Sequence, residues 1–313
     1  MIAIGVSVLV VISAGMVFAL PRLRAASPSP AIAQANVAAA GPNGATAAVA
    51  LASPYFHWDY VWGLNHPALD APKSQARSEL LVDLDSQHVL YARNPTARVA
   101  NASTTKLMTA MVALDSASPD TVVTVPDDAT KVEPDHMGLT TGERVKVGDL
   151  LYGLLLDSGN DAAETLAMTT LGREPFIKAM NDKAASLGLQ DTHFGNPSGL
   201  DDPEQYSSAQ DLAIIAGYIY QRYPAIDTAV TTRTQSIIGT SEHKAFFPQN
   251  FNKLLWSYPG AIGFKTGQTG NAGTCLVSGA RRGDRTLLLV ELNDPVIFTD
   301  ATTMLNFGFA RAG

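Results

Sequence analysis

The chain has 313 residues and a mass of 33.1 kDa, and 46% of its residues are hydrophobic. That suits one large domain or two ordinary ones and excludes wholesale disorder. A net charge of −7, a pI near 5.3 and the lack of a lysine–arginine cluster argue against a nucleic-acid binder; one cysteine and six histidines without HExxH spacing argue against a metal site.

Met1 to Leu20 carries no charged side chain, and Arg22 and Arg24 follow it. At about 1.5 Å per residue, such a run spans about 30 Å of hydrocarbon. Residues 1–24 therefore read as an export segment, either a signal peptide or a membrane anchor. Val17-Phe18-Ala19 resembles a cleavage site, yet no basic residue precedes the apolar run. Both alternatives place the rest of the chain outside the cytoplasm. Residues 25–70 read as a low-complexity linker followed by an aromatic arm. Ala25 to Ala52 has neither acid nor base, and Tyr55 to Leu69 carries Phe56, Trp58, Tyr60 and Trp62. The arm is expected to pack on the domain, with a membrane interface as the alternative.

Residues 71–313 form the expected domain. Ser78–Leu84 and Val89–Ala92 are short apolar runs joined by a polar turn, a β-hairpin. Ser103 to Leu114 has apolar residues at 107, 108, 111 and 114, a helical spacing. Further helices are predicted at 147–156, 161–171, 174–187 and 207–220, with Gly172 and Gly188 as stops. Strands follow at 261–265, 274–280 and 285–292, then a closing helix at 300–309. Strands at both ends with helices between predict an α+β domain whose sheet joins the two chain ends.

Three short motifs carry candidate chemistry. In Asn101-Ala-Ser103-Thr-Thr-Lys106, the serine and lysine share one helix face, a turn apart. A serine hydroxyl needs a base within hydrogen-bond reach, and lysine serves as one only where burial or nearby positive charge lowers its pKa. Asp157-Ser158-Gly-Asn160 breaks two helical stretches, where Ser158 could relay a proton and Asn160 hold a substrate amide or the lysine, though taken alone it reads as ordinary N-capping of the next helix. Lys265-Thr266-Gly267-Gln-Thr269 sits on a late strand, where Lys265 offers charge, Thr266 a hydroxyl, and Gly267 room for a ligand backbone.

Taken in this order the trio resembles the S-x-x-K, S-x-N and K-T-G motifs of β-lactamases and penicillin-binding proteins. The segments ASTTKLMTAM (102–111), GDLLYGLLLDSGNDAAE (148–164) and GFKTGQTGNAGTCLVSGA (263–280) are similar to those of the low-molecular-mass penicillin-binding proteins, the serine-type D-alanyl-D-alanine carboxypeptidases of peptidase family S11. The resemblance covers residues 75 to 310 or so. It implies an antiparallel sheet flanked by helices, with a helical subdomain. It also implies that Ser103 attacks the bond between the terminal D-alanines of a peptidoglycan stem peptide while Lys106 takes its proton. Ser158 would relay a proton to the leaving D-alanine, and Asn160 would orient the acyl chain. Lys265 and Thr266 would hold the terminal carboxylate, which β-lactams mimic as covalent inhibitors, with Gly267 and Thr269 completing the substrate strand. Backbone amides at Ser103 and near Gln268 or Thr269 would bind the oxyanion. No cofactor is needed.

The resemblance has departures. Ile297-Phe-Thr-Asp-Ala301 has isoleucine where many relatives carry an arginine that assists carboxylate recognition, and Gly159 replaces the aspartate of the commonest β-lactamases. The chain stops soon after the closing helix, so a second β-rich domain and a C-terminal anchor are not expected, and any membrane tether falls to the N-terminal segment. Asn196-Pro-Ser198-Gly-Leu-Asp201 reads as a structural loop beside the cleft. Cys275 reads as a buried structural thiol, and Glu133, Asp157, Asp161 and Glu164 as capping or surface carboxylates. A D,D-endopeptidase, a β-lactamase with Glu174 holding the hydrolytic water, and a penicillin sensor without turnover remain alternatives.

Overall fold

The structure, a computed structural model, describes residues 56–311; the export segment and most of the linker lie outside the described residues. The apolar run of β7 (Arg285–Leu292) suits a strand covered on both faces, and it occupies the middle of a five-stranded antiparallel sheet. β1 (Ser78–Asp83) and β2 (Val89–Arg93) lie on one side of it, β6 (Gly273–Arg282) and β5 (Ala261–Thr269) on the other. β1 and β7 join the two chain ends in register from Ser78↔Leu292 to Asp83↔Leu287.

Alternation along these strands makes two apolar layers. Leu80, Val82, Leu288 and Val290 face the larger core, shared with α2 (Lys106–Ser116), α3 (Val147–Leu155), α4 (Asn160–Thr170) and α6 (Ala209–Arg222). Leu81, Leu287 and Leu289 face the closing helix, which contributes Ile297, Ala301, Met304 and Leu305. α5 (Arg173–Ser186) lies between Gly172 and Gly188, both at left-handed φ, as expected of helix stops.

Several elements escaped the sequence pattern because they are short. These are α7 (Pro224–Thr231), α8 (Leu254–Ser257) and a separate pair, β3 (Val122–Thr124) with β4 (Arg144–Lys146). The helix predicted from Ser103 starts as a 3-10 turn over Ala102–Thr105 and becomes α2 only at Lys106. The closing helix, α9 (Ile297–Arg311), begins three residues earlier than the pattern predicts. β5 continues past Lys265 to Thr269, so the whole third motif lies on an edge strand.

The aromatic arm belongs to the packed unit. Phe56 and Trp58 are buried in the larger core, and Asp59 accepts the Trp62 N–H at 2.9 Å to cap α1 (Tyr60–Asn65). Among the described residues no helix is long and apolar enough to cross a membrane.

Candidate active site

Ser103 lies in the 3-10 turn and Lys106 opens the α-helix after it, which keeps the two side chains on one face. Lys106 is fully buried, and its Nζ lies 2.8 Å from Ser103 Oγ. Two further acceptors surround it: Asn160 Oδ1 at 2.7 Å and the Ser198 carbonyl at 2.6 Å. Burial, and then the charge of Lys265, push the Lys106 ammonium well below the usual lysine range; the carboxylates of Asp135, Asp161 and Glu164 oppose the shift.

Asn160 is held from both ends at the start of α4. Its N–H donates to the Asp135 carbonyl at 2.8 Å, and its Nδ2 to the Glu133 carbonyl at 2.8 Å, leaving Oδ1 for the lysine. Ser158, two residues earlier, is buried in the α3–α4 turn at φ +60°. At Gly159 an added Cβ would come within 2.8 Å of both the Met137 nitrogen and Asp161 Oδ1, which accounts for glycine between the two polar residues. Asp161 anchors the neighbouring loop by accepting from the amides of Met137, Gly138 and Leu139. Asp157 Oδ1 accepts from Gln249 N, and Glu164 pairs with Arg173, so these carboxylates hold the scaffold.

β5 forms the opposite wall. Lys265 is buried, with Nζ donating to the Thr266 carbonyl at 3.0 Å, and burial pushes its ammonium down to about 7 against the pull of Asp135 and Asp157. The bare Cα of Gly267 serves the serine turn. A Cβ there would come within 2.8 Å of Ser103 N and 3.1 Å of Thr104 N, so glycine lets the edge strand abut those amides. The Thr269 hydroxyl accepts from Ala272 N at 3.1 Å and shapes the β5–β6 turn.

Sequence reasoning missed the direct part played by the 196–201 loop. Asn196 Oδ1 accepts from Ser198 N, Ser198 Oγ and Gly199 N, and Thr109 Oγ1 donates to the Pro197 carbonyl. These bonds aim the Ser198 carbonyl at Lys106. A main-chain oxygen leaves no mark in residue type, so only the turn-rich Asn-Pro-Ser-Gly signal pointed there.

Glu174 does not belong to this site: 83% of its side chain is exposed, and it pairs with Arg173 at the start of α5. Its nomination as holder of a hydrolytic water is corrected accordingly. Ile297 is buried in the apolar layer under α9. Cys275 is buried in β6, and burial pushes its thiol up to about 11, outside the reactive range. Among the described residues no group of three or more His, Cys, Asp or Glu is arranged to hold a metal ion.

The fold is that of the penicillin-binding DD-peptidases. The DD-transpeptidase of Streptomyces K15 is 33% identical in sequence and superposes with a TM-score of 0.73 over 77% of this chain and 99% of that one. The family model for D-alanyl-D-alanine carboxypeptidases, peptidase family S11, matches residues 65–296. D-alanyl-D-alanine carboxypeptidase DacB2 of Mycobacterium tuberculosis is 37% identical over 255 residues, 76% of this chain and 84% of that protein. DacF of Bacillus subtilis, also a D-alanyl-D-alanine carboxypeptidase, is 35% identical over 251 residues. The match takes in 76% of this chain and only 63% of that protein's length. The chain belongs to the D-alanyl-D-alanine carboxypeptidase family, peptidase S11.

Proposed function

We propose that this chain is a serine D-alanyl-D-alanine carboxypeptidase that trims peptidoglycan stem peptides through an acyl-enzyme and is acylated by β-lactams. The observation that carries the reading is the buried Lys106 amine with its acceptors. A neutral amine has two N–H bonds and one lone pair. With Asn160 Oδ1 and the Ser198 carbonyl taking the N–H bonds, the lone pair is left for the Ser103 hydroxyl.

Ser103 Oγ then attacks the carbonyl carbon between the two D-alanines as its proton passes to Lys106. The Ser103 amide, beside Gly267 on β5, is placed to stabilise the oxyanion, a contribution of about 3 kcal/mol per donor in comparable hydrolases. The C–N bond breaks and the departing amine takes a proton, with Ser158 as the relay. Asn160 both orders Lys106 and lies where the acyl chain passes. Lys265 and Thr266 hold the leaving carboxylate, and Gly267 and Thr269 keep the strand beside it. Water finally cleaves the ester. Residues 1–24 act as the export segment and place this domain, 71–313 together with its packed aromatic arm, in the cell envelope, with any membrane contact made through that segment.

Mass spectrometry after incubation with benzylpenicillin tests the reading. One adduct on the peptide holding Ser103, absent from Ser103→Ala, is the expected result. An unmodified wild-type protein, or an adduct elsewhere, contradicts it.

A further inference from the structure

The loop at 196–201 runs from Lys106 to the far end of β5. Its middle packs on the serine turn: Ser198 gives its carbonyl to Lys106, and a Cβ on Gly199, at φ +86°, would clash with the Ala102 carbonyl. Asn196 Nδ2 donates to the Leu200 carbonyl at 3.0 Å, which closes the loop just before Asp201. Asp201 then reaches the β5–β6 turn, where its Oδ2 accepts from Asn271 N at 3.1 Å. The catalytic mechanism proposed above does not use this carboxylate.

Position along β5 says which part of a substrate reaches Asp201. Ser103 N abuts Gly267, and Lys265 with Thr266 take the carboxylate of the leaving residue. The acyl chain therefore departs the other way, from Gly267 past Thr269 to Gly270. Three residues of strand cover about 10 Å. On the substrate, the residue before the acyl D-alanine has its Cα one step of about 3.8 Å further along, and a four-carbon side chain bridges the rest. The tip of that side chain is the part that meets the turn.

The turn is open and acidic. Asp201, Gly270 and Asn271 are all exposed. Among the described residues, and its chain neighbours aside, the only atom within 4 Å of a Cβ on Gly270 would be Asp201 Oδ2, at 3.6 Å. Asp202 and Glu204 add charge of the same sign, and among the described residues no basic side chain lies within salt-bridge distance of any of the three. A carboxylate fixed through one oxygen, with room beside it and no basic partner, suits a cation that the substrate supplies.

We infer that Asp201 is a specificity-determining residue that selects stem peptides in which the residue before the two D-alanines carries a free ammonium on a four-carbon side chain. The inference rests on the peptidase reading above and names its substrate. The ammonium pairs with Asp201 Oδ1, the oxygen that Asn271 does not use. Acylation of that amine, as in a crosslink, removes the charge and with it the contact. The enzyme therefore favours strands whose side-chain amine has not yet been crosslinked.

The test measures D-alanine release by the full-length protein from two tripeptides that differ only at that amine, Nα-acetyl-L-lysyl-D-alanyl-D-alanine and its Nα,Nε-diacetyl counterpart. Wild type is expected to show a kcat/KM about fivefold higher for the free amine, the upper end for an exposed ion pair. That ratio should fall towards one in about 1 M NaCl, where the screening length is about 3 Å. Asp201→Asn keeps an oxygen for Asn271 N and should bring the ratio to about one at low salt, whatever its absolute rate. A purely structural loss would slow both tripeptides alike and leave the ratio standing. Benzylpenicillin acylation reports folding of the variant, and if the variant fails it, the salt dependence of the wild-type ratio decides. A wild-type ratio of one or below, a ratio insensitive to salt, or an Asp201→Asn protein that keeps the wild-type ratio overturns the inference alone. A wild-type protein that releases D-alanine from neither tripeptide overturns the peptidase reading itself.

Discussion

A lysine acts as a base only in its neutral fraction, and two features of Lys106 enlarge that fraction. Burial removes the water that would solvate an ammonium, and Lys265 places a second positive charge in the same cleft. The second feature is separable by mutation. Replacing Lys265 by glutamine removes a like charge, makes protonated Lys106 less costly and raises its pKa. The acid limb of the acylation rate is therefore expected to move to higher pH in Lys265→Gln, measured with a chromogenic cephalosporin whose own titration lies outside the range. An unchanged limb, or one moved to lower pH, would mean that Lys265 does not tune the base. For the free enzyme, Lys265 itself loses its charge near pH 7 as buried. Its hold on a substrate carboxylate accordingly weakens above that pH, and kcat/KM for D-alanine release is expected to fall on the alkaline side. A flat profile from about pH 7 to 9 contradicts this.

Two elements converge on Ser103, the 3-10 turn that carries it and the edge strand β5. Their separation is set by Gly267, since a Cβ there would meet the backbone nitrogen of Ser103 at 2.8 Å. Backbone cannot swing aside as a flexible side chain does, so Gly267→Ala is expected to push strand and turn apart. A displacement of about 1 Å in a catalytic geometry costs about a hundredfold in rate. Penicillin acylation should fall by about that factor while the far-UV circular dichroism and melting transition stay close to wild type. Acylation within threefold of wild type would show that the strand does not position the serine.

The longer elements were legible because their patterns are periodic. The 3.6-residue spacing of Leu107, Met108 and Met111 marked α2, and β7 was read with the bounds it has. The 3-10 start at Ala102–Thr105 was not, because a tighter turn needs no distinctive residues and the same apolar spacing continues through it. The strand pattern of β5 ends at Lys265, because a lysine, a glycine and two threonines do not look like strand interior. Of the site, each side chain that approaches Lys106 lay in a quoted motif, whereas the Ser198 carbonyl and the Asp135 charge depend on how loops fold back.

Across the whole molecule, the sheet that holds the site together carries an electrostatic cost far from it. Glu79 on β1 and Glu291 on β7 are direct cross-strand partners, and both are buried. Arg93 and Ser74 bond to one oxygen of Glu79, while neither oxygen of Glu291 has a partner. Asp294 and Asp300 add charge at the start of α9. Burial pushes the Glu79 carboxyl up to about 7, and burial with the Glu79 charge pushes Glu291 well above the usual glutamate range.

A carboxyl whose folded pKa exceeds its unfolded value holds its proton more tightly in the native state. Stability is then highest below the unfolded pKa near 4.5 and falls as pH rises through about 7. Glu291→Gln keeps the shape and removes one titrating group. It is expected to be more stable than wild type at pH 8, because it removes a group that must hold its proton there. Its melting temperature should also change less between about pH 5 and 8. Parallel losses in both proteins would contradict a native-state carboxyl held protonated by this cluster.

The central claim is that Ser103, activated by buried Lys106, releases D-alanine. Incubating the full-length protein with a diacyl-D-alanyl-D-alanine tripeptide and measuring free D-alanine over time tests it directly. Wild type should release it steadily, while Ser103→Ala and Lys106→Ala should each fall by at least about a thousandfold, since nucleophile and base act as a unit. Release by Ser103→Ala at the wild-type rate, or a wild-type protein that neither releases D-alanine nor binds penicillin, would contradict the account.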